Sequence, residues 1–327
     1  MIKTTYSDAI LSGFDYLLGN YPEVFVMGQG LWSPWYVGNT MKNLDRKYGK
    51  ERIIDTPVSE SACTGAAVGA SICGMKPIIV HPRMDFMLYA MDSIVNQAAK
   101  WSYMFGGKLN APVTIRSIIN RGGSQGAQHS QALHSWFAHI PGIRVVMPST
   151  VEDARDLLIS SVLCPDPVIY IDDRWLYEQT ANLKPIKETP LKFITPKCLK
   201  KGDQITIVGS GYSTLLALNA SNQLNSDGIS AEVYDLRVLN PFNSMNILDS
   251  VLKTKRLLVI DSGWNSCGMA SEVITSIVEH IPTNTLIDPP RTITLPDCPA
   301  PSSEVHEKDY YPNEKTIIEL ISEFFSF

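Results

Sequence analysis

The run Asp55–Gly74, DTPVSESACTGAAVGASICG, decides how the chain is built. Thr56 and Ser59 are helix-capping residue types and Pro57 is tolerated in a first turn, so the run predicts a helix that starts here. Ser61, Ala62, Thr64, Gly65, Ala66, Ala67 and Gly69 leave that helix almost without side-chain bulk. A glycine inside a helix costs about 1 kcal/mol relative to alanine, so Gly65 and Gly69 predict a packing reason. Their four-residue spacing puts both on one face, where a second backbone can come close. Glu60 heads this helix. It is either a first-turn acid favoured by the helix dipole or a carboxylate held for chemistry.

Short apolar runs flank the helix on both sides. Val24–Met27 ending at Gly28, Arg52–Asp55, and Pro77–Val80 ending at His81-Pro82-Arg83 predict buried strands. Helical spacing over Thr4–Leu18 stops at Gly19-Asn20, and a long helix is predicted from about Asp85 to Phe105. Further strands at Pro112–Ile119, Arg144–Met147 and Val168–Ile171, with a helix over Thr150–Leu163, complete an alternating pattern. Such alternation implies a parallel sheet covered on both faces, an α/β doubly wound domain. Composition shifts after Tyr177: prolines and lysines without a period mark residues 179–201 as a linker. A second α/β pattern follows over 202–327, with strands at Ile205–Val208, Ala231–Leu236 and Arg256–Ile260. The proline-rich IDPPRTITLPDCPAPSS reads as a surface excursion. The domains expected are therefore residues 1–178, a linker 179–201, and residues 202–327.

Composition bounds the function classes. A chain of 327 residues has room for two domains, and 44% hydrophobic with 19% charged residues suits a globular protein. A net charge of -5 without a basic block argues against nucleic acid as partner. No apolar run approaches the roughly 20 residues needed to span a bilayer. Six scattered cysteines without CxxC pairs, and no signal-peptide pattern at the N-terminus, predict a cytoplasmic location. Cys63 and Cys73 are expected to fill core space.

Other motifs carry less. Gly209-Ser210-Gly211 lies between a strand and a helix but lacks G-x-G-x-x-G spacing, so a tight turn is expected there. No P-loop or HEXXH occurs, and the histidines have no metal-ligand spacing. The loop RGGSQGAQHSQ holds Gly122, Gly123 and Gly126, and His129 between polar neighbours. Glu60 and His129 together offer a carboxylate and an imidazole, a usual pair for proton transfer. His134 and His139 are read as packing beside Trp136 and Phe137.

Several stretches together are specific: DTPVSESACTGAAVGASICGMKPI, MDFMLYAMDSIVNQAAKWSYMFGG, GAQHSQALHSWFAHIPGIRVVMPSTVEDARDLL, VIDSGWNSCGMASEV and PDCPAPSSEVHEKDYYP. In this order, over essentially the whole chain, they resemble the β subunit of thiamine-diphosphate-dependent 2-oxo acid dehydrogenases of the pyruvate, branched-chain and acetoin types. The resemblance implies a transketolase-like pyrimidine-binding domain followed by a transketolase C-terminal domain. It matches Glu60 to the glutamate that contacts N1′ of the cofactor's aminopyrimidine, Phe86 to an aromatic packed on that ring, and His129 to an active-site histidine near substrate and lipoyl group. In the family the diphosphate and magnesium are held by a GDG…N motif on another domain, and this chain has no GDG. The resemblance therefore implies thiamine diphosphate shared with an E1 α subunit that holds Mg2+, an α2β2 heterotetramer, a lipoyl acyltransferase (E2) and a small 2-oxo acid substrate.

The chain also departs from the family. Gln29-Gly30 stands where many members have an acidic pair, and Val80-His81-Pro82-Arg83 replaces a Glu-Phe-Met segment. His81 and Arg83 are candidates for the substrate carboxylate or for a helix cap. Acidic and amide residues of a potassium site described for part of the family have changed near Cys164–Asp166, and no metal is carried over. The activity implied is oxidative decarboxylation with acyl transfer to lipoamide. A transketolase-like carboligase subunit and a non-catalytic assembly subunit are the alternatives.

Overall fold

The computed structural model describes residues 3–325. Spacing alone explains the first helix, α1 (Tyr6–Asn20): Tyr6, Ala9, Ile10, Phe14, Leu17 and Leu18 are buried at the three- and four-residue intervals of one helix face. Thr5 caps it, its hydroxyl accepting from the Asp8 N–H at 3.1 Å. The strands β1 (Val24–Gly28), β2 (Ile53–Asp55), β3 (Lys76–His81), β4 (Thr114–Ile119), β5 (Arg144–Val146) and β6 (Val168–Asp173) follow with the helices α2 (Glu60–Ile72) and α3 (Val151–Val162) between them. The strands lie in the order β5-β6-β4-β3-β1-β2 and every pair is parallel. Continuous burial along β3, β4 and β6 is what a sheet covered on both faces requires.

The helix expected over Asp85–Phe105 is wound three ways: a 3₁₀ run Met84–Ala90, a π segment Asp92–Ala98 and an α-helix Ala99–Met104. Met84, Met87 and Ala90 are buried at intervals of three, and Ser93 and Ile94 are followed by Ala98 and Ala99 at intervals of five. The winding tightens and then loosens to keep those positions inward.

The second unit contains β7 (Lys197–Lys200), β8 (Ile205–Gly209), α4 (Tyr212–Ser226), β9 (Ala231–Asp235), α5 (Met245–Thr254), β10 (Leu257–Trp264), α6 (Met269–Val278), β11 (Arg291–Leu295), α7 (Glu304–Tyr310) and α8 (Glu314–Phe324). Its sheet runs β11-β10-β8-β9-β7, with β7 antiparallel at the edge. Ile207, Val233, Leu258 and Ile260 of the sheet meet Leu216, Leu224, Ile317 and Ile321 of the helices in one core. Among the described residues no helix is long and apolar enough to cross a membrane.

By packing, the chain groups into two units. One unit runs to Arg121 and resumes over Trp136–Ile194, while Gly122–Ser135 joins the chain from Thr195 onward. Within the expected linker, residues 179–194 pack with the first unit. Glu188 Oε1 accepts from the hydroxyls of Tyr16, at 2.8 Å, and Tyr21, and Leu191 is buried, which ties this segment to the first unit. Lys197–Lys200 is already an edge strand of the second. The proline-rich excursion likewise contains β11, paired with β10. Both segments look irregular in sequence because an edge strand needs an apolar partner on only one side.

Candidate active site

The carboxyl ends of β1 and β3 lie beside the start of α2, the end of a parallel sheet at which ligands usually bind. Between them lies a shallow cleft with a cavity volume of only about 20 Å³, lined by Gly28, Gln29, Thr56, Ser59, Glu60, Cys63, His81 and Pro82. At Gly28, with φ at +156°, an added Cβ would stand 2.5 Å from the Val80 carbonyl oxygen. Only glycine lets the two strand ends come this close.

Glu60 is half-buried at the first turn of α2. The caps expected for this helix are not made: Ser59 occupies the N-cap without a side-chain hydrogen bond, and the Thr56 N–H donates to the Gly28 carbonyl at 3.0 Å. The helix start thus remains turned to the cleft with its acid. Only Thr64, Ala67, Val68 and Ser71 of α2 are buried, which leaves Ser61, Ala62, Gly65, Ala66 and Gly69 on an exposed face. A Cβ at Gly65 would meet Ser93 Oγ at 3.4 Å and one at Gly69 would meet nothing. Cys63 is half-buried in the cleft and Cys73 is exposed, so neither is the core filler expected.

His81 ends β3, almost wholly buried, with Nε2 3.2 Å from the Thr64 hydroxyl. Burial holds its pKa down at about 4, against 6.5 for a free histidine. The ring is neutral near pH 7 and adds a hydrogen-bonding edge rather than a positive charge. Arg83 is half-buried, with Nη1 3.5 Å from the Asn120 carbonyl, and its pKa is lowered by burial and by Arg174 nearby. Arg83 and Phe86, which is half-buried, stand outside the cleft lining. The loop after Gly28 is fixed from below: Asp55 Oδ1 accepts from the Gly30 N–H at 2.6 Å, the Trp32 indole donates to the Ile53 carbonyl at 2.8 Å, and the Gln29 amide donates to the Tyr36 hydroxyl at 2.9 Å.

The neutral His81 sets a pH dependence. Between about pH 4 and about pH 6.5 the unfolded chain binds a proton that the folded chain refuses. Stability therefore falls as pH drops through that window, by roughly 3 kcal/mol in all. His81→Gln is expected to flatten this slope, measured as urea midpoints at about pH 7 and about pH 5. An unchanged slope in the variant assigns the dependence to another group.

His129 belongs to the second unit, in Gly122–Ser135, with its N–H 3.3 Å from the Gly126 carbonyl. His134, read as a packing residue, instead hydrogen-bonds a carboxylate: Nε2 is 2.8 Å from Asp261 Oδ1, and both side chains are buried. Burial alone would lift the Asp261 carboxyl, but His134 and the N–H groups of Gly263 and Ala270 hold it below the usual carboxylate value. No local signal reveals this pair, because its members lie 127 positions apart. Thr64 was legible in principle, being one turn along the same helix face from Glu60.

A family model described as transketolase, pyrimidine binding domain, matches residues 3–179, and one described as transketolase, C-terminal domain, matches 196–317. The chain is 36% identical over 323 residues to the mitochondrial pyruvate dehydrogenase E1 component subunit beta-1 of Arabidopsis thaliana, covering 97% of this chain and 88% of that protein. It is 36% identical over 299 residues to the pyruvate dehydrogenase E1 component subunit beta of Rickettsia bellii, covering 91% of each. Among solved structures, a split-gene transketolase described as an inactive beta4 tetramer superposes with a TM-score of 0.76 at 20% identity, over 98% of this chain and 97% of that one. This last likeness shows the fold.

Proposed function

Because the chain belongs to the family of pyruvate dehydrogenase E1 component β subunits, we propose that it works as the β subunit of a 2-oxo acid dehydrogenase, decarboxylating a 2-oxo acid and passing the acyl group to lipoamide only when joined to an α subunit. The observation that carries this reading is Glu60, heading α2 in a cleft it shares with the Gln29 amide and the neutral His81. The carboligase alternative is not favoured by the relatives' names.

The residues present suit the aminopyrimidine of thiamine diphosphate. Along the cleft a flat ring with nitrogen donors and acceptors would find a carboxylate, an amide and an imidazole to hydrogen-bond, beside Cβ-free Gly28. When bound, that cofactor supplies a carbon that adds to the 2-oxo carbonyl and a thiazolium that takes up the electron pair left by carbon dioxide. Glu60 would hold the ring through a carboxylate oxygen at N1′, where it shares a proton without leaving its place on the helix. Phe86 would pack on the ring, His129 would serve the substrate and the acyl transfer, and Arg83, with His81 as neutral hydrogen-bond partner, would meet the substrate carboxylate. The diphosphate and its Mg2+ fall to the α chain, since no GDG occurs here.

Partnership has its own support. The small-residue face of α2 is exposed, and Tyr89, Tyr103, Met104, Phe105 and Leu109 present large apolar groups to solvent on the same unit. Exposed apolar side chains of this size suit a chain that assembles, here an α2β2 heterotetramer that also engages E2. All six cysteines are free, which suits a reducing, cytoplasmic setting. The test is copurification. A GDG-bearing chain is expected to accompany this one, and the pair to decarboxylate pyruvate or a branched 2-oxo acid with thiamine diphosphate and Mg2+. Turnover by this chain alone overturns the reading.

A further inference from the structure

The segment that carries His129 has no strand or helix of its own from Gly122 to Leu133. Gly122, Gly123 and Gly126 all sit at positive φ, so its backbone has an unusually large freedom to lose on ordering. What holds it comes from the second unit, to which it belongs. The Ser124 N–H donates to Glu307 Oε2 at 2.8 Å, and Glu307 is itself buried on α7. On the other side of His129, the His134 ring pairs with Asp261 at the end of β10. Asp261 is in turn fixed by two backbone N–H groups, of Gly263 at 2.9 Å and of Ala270 at 3.1 Å. Gly263 leaves room for the ring: a Cβ there would stand 3.3 Å from His134 Cε1.

We propose that the buried His134–Asp261 pair is a latch that positions the His129 loop, with Ser124–Glu307 as its second fastening, so that His134 and Asp261 are positioning residues for the step His129 serves. This rests on the role given to His129 above. Removing His134 takes a hydrogen-bond partner from the buried Asp261 carboxylate, a loss that is costly in the interior, so the latch holds one loop arrangement strongly. A reacting group displaced by about 1 Å loses on the order of a hundredfold in rate, so a loosened latch acts through His129 without touching substrate.

The test uses the α/β complex with thiamine diphosphate and Mg2+. His134→Ala and Asp261→Asn are compared with His134→Gln, which keeps an N–H near the position of Nε2, each alone and together with His129→Ala. Hydrogen–deuterium exchange over 122–133 is expected to speed up about tenfold in His134→Ala and to recover in His134→Gln. The turnover step lowered by His129→Ala is expected to fall about tenfold to a hundredfold in His134→Ala, with cofactor affinity within about twofold. In the His129→Ala background the second substitution should cost less than about twofold, because residues that act as a unit are not additive. Unchanged exchange in both His134→Ala and Asp261→Asn overturns the latch, and losses that multiply in the double variant overturn its action through His129. If His129→Ala turns over normally while His134→Ala still loosens the loop, the latch stands and the role of His129 falls.

Discussion

Glu60→Gln is expected to lower decarboxylation by the assembled complex by about 10²–10⁴-fold, the span that a positioned acid–base group contributes. The substitution keeps size and hydrogen-bonding length but removes the charge and the carboxylate's ability to share a proton. Structure should barely respond. Glu60 stands in the first turn of α2, and its favourable placement at a helix start is worth only about 0.3–1 kcal/mol. Copurification with the α chain and thermal unfolding are therefore expected to match the parent while turnover collapses. Turnover within about tenfold of the parent removes Glu60 from the chemistry. Glu60→Asp, which keeps the acid but shortens its reach, should fall between the two.

Asp172→Ala is expected to destabilise the first unit by about 3–5 kcal/mol. Arg116 stands in the middle of β4 with no exposure, its Nε and Nη2 paired to the two carboxylate oxygens of Asp172 at 2.9 and 2.8 Å. Its remaining groups reach Thr40 at 2.8 Å and Tyr177 at 3.1 Å, and the Tyr177 hydroxyl also donates to Asp172. Without Asp172 a guanidinium charge is left in the core. The corresponding unfolding midpoint should drop by roughly 6–20 °C. Arg116→Met with Asp172→Leu should recover most of the loss, since a buried pair replaced by apolar groups is often neutral or better. A double variant as unstable as Asp172→Ala alone would mean that packing, not the orphaned charge, sets the cost.

Much of the fold was legible because apolar runs and their periods report burial directly. Strands β1, β3 and β6 and helices α1 and α3 lie within a residue or two of where their spacing puts them. Legibility failed where burial followed an unusual period or needed a distant partner. The 84–104 run keeps its buried positions at intervals of three and then five, which sequence inspection averages into one α-helix. The site divides along the same line. Glu60 and His81 stand at element ends close to one another in the chain, and their meeting in one cleft follows from a βαβ unit. That His81 is neutral does not, because its state depends on how completely the sheet buries it.

The sequence by itself determined the family, the two α/β domains and the acid that heads the small-residue helix, because short-range patterns of size, polarity and spacing encode them. Only the tertiary structure decided that residues 122–135 belong with the second unit and that His134 pairs with Asp261. Contacts between groups 127 positions apart are made by chain closure, and nothing local in either segment depends on them until the chain has folded.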